Sequence, residues 1–118
     1  MRPDQMKTIH RVISTFGERN QKMQTLEELL ELQSALFENV HRGTDNRANI
    51  VEEVADVEVM LIQLKQIFNI TSEEIQEVQD AKLTRLNHTI EKYIAKQAQE
   101  EQTAQKLVQI DRTTSNGK

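Results

Sequence analysis

Apolar residues recur every three or four positions along almost the whole chain, the period of an amphipathic helix, and no stretch alternates as a strand would. The pattern predicts a short first helix over DQMKTIHRVISTF, residues 4–16, stopped by Gly17. A second helix from about Asn20 to His41 carries Met23, Leu26, Leu29, Leu30, Leu32, Leu36, Phe37 and Val40 at helical spacing. The stretch RGTDN, residues 42–46, is the clearest loop, with Gly43 as C-cap and Asp45 or Asn46 as the next N-cap. A third helix runs from about Arg47 to Phe68, and a fourth begins at TSEE, residues 71–74, where Thr71 and Glu74 have capping-box spacing. That last helix is expected to pass Tyr93 and reach about Ile110, with a disordered tail over 112–118.

Short loops between amphipathic helices favour antiparallel neighbours. The expected fold is therefore all-α: a small antiparallel bundle of about four helices with an extended C-terminal helix. No repeat or linker divides the chain, so residues 1–111 read as one domain. After Lys96 the sequence is rich in Gln, Glu and Ala, an arm suited to packing on a partner subunit.

Composition sharpens this picture. The 118 residues are 36% hydrophobic and include three Phe, one Tyr and no Trp, a modest core that favours oligomerisation. Three Gly and one Pro leave few places to break a helix. A net charge of −4 with no basic stripe argues against a nucleic-acid partner. The absence of cysteine excludes disulfides and thiolate metal sites. With no signal-like leader and no apolar run of membrane-spanning length, a soluble cytoplasmic protein is expected.

The chemistry lies in the acids. On a helix advancing about 100° per residue, Glu53 projects between Met60 and Leu64, inside an apolar face, and Asp56 falls between Gln63 and Ile67. Apolar residues ring nearly the whole third helix, which predicts a central position for it. On the second helix Glu28 and Glu31 stand at the edge of the apolar arc, with Glu27 and Glu38 further into the polar side. Residues three apart share a helix face, so each pair can converge on one ion. Four carboxylates from two neighbouring helices suit a hard divalent cation, Mg²⁺ or Mn²⁺. The plainer reading is a solvated acidic face, or salt bridges between subunits. A ferritin-like di-iron bundle needs two E-x-x-H units, and only Glu38 to His41 qualifies.

The fourth helix supplies bases. Lys82 and Arg85 lie beside the apolar stripe of Ile75, Val78 and Tyr93. Lys82 either lays its stem along the core with its ammonium in water, or points with Arg85 toward the acidic cleft to hold phosphates. No P-loop, G-x-G-x-x-G or G-x-S-x-G is present, and the three histidines are scattered.

EELLE (27–31) followed after a loop by EEVAD (52–56) resembles the E-E-x-x-E … E-x-x-D signature of the MazG-like all-alpha NTP pyrophosphatases, a superfamily that includes dimeric dUTPases and dCTP pyrophosphatases. FGERNQ (16–21) is similar to that family's entry into its first acidic helix, and the resemblance covers about residues 14–93. It implies that Glu28, Glu31, Glu53 and Asp56 bind Mg²⁺, that Glu27 is accessory, and that a nucleoside triphosphate is split into monophosphate and pyrophosphate. It also implies a homodimer or homotetramer. In place of the family's K-x-x-K-N, the chain has KLTRL (82–86), keeping Lys82 and Arg85 but with Leu86 where Asn is expected. A rival of another class is a non-catalytic helical oligomer, and a third is a nucleotide sensor on the same fold.

Overall fold

The structure is a computed structural model that describes residues 1–116. Among these residues there are four helices and no strand: α1 Pro3–Phe16, α2 Glu18–Arg42, α3 Arg47–Ile67 and α4 Ser72–Asn116. The expected all-helical bundle is what forms. No helix among the described residues is long and apolar enough to cross a membrane.

Local chemistry accounts for the boundaries. Pro3 occupies the first turn of α1, where a missing N–H costs nothing, and the Arg2 N–H donates to Gln5 Oε1 at 2.9 Å. Gly17 has φ 92° and ψ 152°, a conformation confined almost entirely to glycine, and the joint is so tight that α2 begins at Glu18, before the expected Asn20. Gly43 closes α2 in the left-handed conformation, with its N–H donating to the Glu38 carbonyl. Asn46 precedes α3 as expected, but its side chain does not cap that helix. Instead Asn46 Nδ2 donates to the Ala35 carbonyl at 2.9 Å and ties the loop back to α2. Asn69, at φ 53°, makes the left-handed turn out of α3 that the sequence pattern did not mark. α4 runs to Asn116, past Ile110 and into the segment expected to be a disordered tail, because nothing before Gly117 breaks a helix. The part of that tail at residues 117 and 118 lies outside the described residues.

The chain divides into two compact units, residues 1–72 and 73–118. In the first, α2 and α3 pack against each other and α1 packs on both. Their pairings run in opposite directions: Asn46 meets Ala35 near the loop, and Gln63 meets Gln21 at the far end. The two helices are therefore antiparallel, as the four-residue connection 43–46 requires. The second unit is α4 from residue 73 onward, in which Thr84, Thr89 and Thr103 hydroxyls donate to carbonyls one turn earlier.

The core of the first unit is small. Ile9, Ala35, Val57 and Met60 are its buried apolar residues, and Gln21, Thr25 and Gln63 are buried beside them. Gln21 Nε2 donates to Gln63 Oε1 at 2.7 Å, and the Thr25 hydroxyl donates to the Gln21 carbonyl at 2.8 Å. His10 of α1 reaches Gln66 of α3 at 3.1 Å. The expectation that α3 is central, with an almost wholly buried surface, does not hold. Val51, Val54, Val59 and Leu61 are exposed, because α1 and α2 together cover only one side of the helix.

The buried amide pair gives a measurable cost. Gln21→Leu or Gln63→Leu alone strands the partner amide and should lower stability by about 1–3 kcal/mol. The double Leu variant should recover part of that loss, since no polar group is then left unpaired. Urea unfolding of the four proteins measures the coupling.

Candidate metal centre

The antiparallel register of α2 and α3 sets one layer of side chains per helical turn. Gln21 faces Gln63, and counting along the two antiparallel helices from that pair sets Glu28 opposite Asp56 and Glu31 opposite Glu53. The middle layers are thus carboxylate on carboxylate. Each of Glu28, Glu31, Glu53 and Asp56 offers an oxygen, and those oxygens all lie within 4.8 Å of one another. The two i, i+3 pairs expected to share faces are brought together.

Burial grades the four. Glu31 is exposed, while Glu28, Glu53 and Asp56 are half-buried. Glu28 Oε1 accepts a hydrogen bond from Gln24 Nε2 at 2.9 Å. Glu28 Oε2 and Glu53 Oε2 are shut off from solvent and accept none. Among the described residues no lysine or arginine forms an ion pair with any of the four; the ion pairs of this region and of α1 are Arg42 with Glu38 and Arg2 with Asp4. Repulsion from Glu28, and then from Glu53, holds the Glu31 carboxyl above its ordinary value of 4.5. Proximity of these groups is the main cause, since Glu31 itself is open to water. Ionised carboxylates only accept hydrogen bonds, so the three cannot satisfy one another without a shared proton.

Two shielded oxygens with no donor, in an all-oxygen set, are what a hard cation would complete. Opposite ligands of an octahedral ion with bonds of about 2.1 Å lie about 4.2 Å apart, so a small contraction of the cluster would suffice. Beside it is a shallow depression of about 300 Å³, where Ala35, Ser34 and Asn49 adjoin Glu31 and Glu53. A larger groove on the flank of α4, by Gln102, Gln105 and Gln109, gathers no acidic cluster.

Glu27 is exposed on α2 and stands outside the group of four. Lys82 and Arg85 are both exposed on α4, within the second unit. Glu38 and His41, the lone E-x-x-H pair, are taken up locally: Glu38 by Arg42 at 3.7 Å and the His41 ring by Phe37 at 4.3 Å. Sequence reasoning missed Gln24 as the partner of Glu28, although its i, i+4 spacing was the available signal. It also missed the Gln21–Gln63 layer, whose pairing depends on a register between helices that no local pattern encodes.

Compared with protein-family models, with curated proteins and with solved structures, the chain matches none.

Glu31 binds its proton more tightly when folded than when unfolded, so its contribution to stability is complete below its ordinary value and is lost as pH rises through the raised one. The metal-free protein should therefore melt at higher temperature as pH falls from 7 toward about 5, and Glu31→Gln should flatten that dependence. At pH 7, Mn²⁺ at about tenfold its dissociation constant should stabilise wild type by about 1.4 kcal/mol. In a domain this small that is a rise of roughly 5–10 °C, and Glu53→Gln should lose it. Thermal melts in chelator and in Mn²⁺ read both effects.

Proposed function

We propose that the chain is a Mg²⁺-dependent nucleoside triphosphate pyrophosphohydrolase of the MazG-like all-alpha kind, acting on canonical or damaged (d)NTPs in the cytoplasm. The observation that carries this reading is the convergence of Glu28, Glu31, Glu53 and Asp56 around two solvent-shielded oxygens that lack any donor. The order E-E-x-x-E then E-x-x-D, on consecutive antiparallel helices, adds to it.

In this reading Glu28 and Glu53 would hold the ion through their shielded oxygens, with Glu31 on the exposed side and Asp56 completing the set. When bound, Mg²⁺ supplies the charge that neutralises phosphate oxygens and acidifies water. Water adds to the α-phosphorus, the bond to the bridging oxygen breaks, and pyrophosphate departs from the nucleoside monophosphate. Exposure of Glu31 leaves a path for water and phosphate to the cluster. The resemblance assigns phosphate binding to Lys82 and Arg85 and an accessory role to Glu27. Depletion of unwanted triphosphates would be the physiological result. A second reading, a partner-binding bundle, is favoured by the exposed apolar residues of α2 and α4, and a nucleotide sensor on the same fold is the third.

Wild type incubated with a panel of NTPs and dNTPs in Mg²⁺ should yield monophosphate and pyrophosphate, resolved by chromatography. Glu53→Gln should lower the rate at least about 100-fold, the upper end of what loss of an outer-shell partner costs. Metal-dependent stabilisation without turnover on any triphosphate would replace the enzyme with the sensor. No response to metal at all would leave the partner-binding bundle.

A further inference from the structure

Gln24 stands one turn before Glu28 on α2, at the i, i+4 spacing that brings two side chains together on a helix. Its Nε2 donates to Glu28 Oε1 at 2.9 Å, whereas Glu28 Oε2 is shut off from solvent and accepts nothing. The two oxygens of this one carboxylate therefore have different surroundings. Oε1 is engaged by an amide, and Oε2 is left with its lone pairs free. Giving both oxygens to one ion would require Glu28 to turn Oε1 off that amide.

We propose that Gln24 is a positioning residue: its amide holds Glu28 to a single ligating oxygen and so tunes the carboxylate set toward a small octahedral cation. This rests on the metal reading of the cluster and adds to it a residue outside the four. Ions differ in what they ask of a carboxylate. Mg²⁺ demands near-octahedral geometry with bonds of about 2.1 Å, and Mn²⁺ suits the same oxygen set. Ca²⁺ takes about six to eight oxygens at roughly 2.3–2.6 Å and readily accepts both oxygens of one carboxylate. Four carboxylates, each giving one oxygen within 4.8 Å of the others, leave room for water on a six-coordinate ion and under-fill a larger one. Gln24 is exposed, so Gln24→Ala removes the amide from a helix surface without opening a cavity or weakening the helix.

The test reads binding and not activity. Mn²⁺ is followed by the loss of its free-ion electron paramagnetic resonance signal, and Ca²⁺ by competition against Mn²⁺. Gln24→Ala should raise the Mn²⁺ dissociation constant about tenfold, the lower end of what removing a ligand's outer hydrogen-bond partner costs. The Ca²⁺ constant should rise less, because the freed Oε1 lets Glu28 give both oxygens, so the preference for Mn²⁺ should narrow. The metal-free variant should keep the wild-type urea midpoint. Gln33→Ala, which removes another exposed amide of α2, should leave both constants unchanged. Unaltered constants in Gln24→Ala, or equal losses for both ions, would overturn the proposal while leaving the metal site in place. A wild type that binds no Mn²⁺ would overturn the metal reading itself, and this proposal with it.

Discussion

Mutual repulsion among Glu28, Glu31, Glu53 and Asp56 is the constraint on which this structure turns. Two helices joined by a four-residue loop must pack along their facing sides, and the middle of that contact is carboxylate on carboxylate. An ordinary helical pair would bury leucine there. Here the α2–α3 contact is sealed instead by the Gln21–Gln63 amides at one end and by Asn46 on Ala35 at the other. Apolar burial is confined to Ile9, Ala35, Val57 and Met60, which leaves the metal-free unit with little hydrophobic driving force to offset the acids. Among the described residues no lysine or arginine pairs with the four acids, where a nearby cation would have turned the cluster into a structural ion pair.

The same constraint explains the inverted character of α2. A helix normally turns its apolar stripe inward, but the face of α2 that meets α3 carries the polar layers, and Leu26 and Leu30 are left outside. α2 thus carries a polar face toward α3 and an apolar one on the opposite side. The hydrophobic residues that its own unit does not cover stay at the surface, while Glu31 alone of the four acids is open to water.

Local signals wrote the elements plainly. Gly17 and Gly43 mark their boundaries because glycine readily takes the positive φ that both turns require. The two i, i+3 acid pairs were legible as well: helical geometry alone puts Glu28 with Glu31 and Glu53 with Asp56. Where local reasoning failed, the missing quantity was what covers each face. Periodicity made α3 look central because it registers apolar residues all round, but only the side meeting α1 and α2 is covered, and Val51, Val59 and Leu61 remain exposed. The turn at Asn69 went unmarked although asparagine is among the few non-glycine residues that readily take a left-handed conformation, whereas the continuation of α4 to Asn116 has no strong local signal.

By itself, then, the sequence determined that the chain is helical, where its first three helices begin and end to within about two residues, and which acids share a helix face, since each of these depends on neighbours within about one turn. Tertiary structure alone decided that the two acid pairs meet. Convergence within 4.8 Å requires a definite register between α2 and α3, and that register is set by the length of the 43–46 loop and by contacts between residues some forty positions apart, such as Gln21 with Gln63. Tertiary structure likewise decided which oxygens lose both water and donor, Glu28 Oε2 and Glu53 Oε2, because shielding is a property of the packed pair of helices and not of either one.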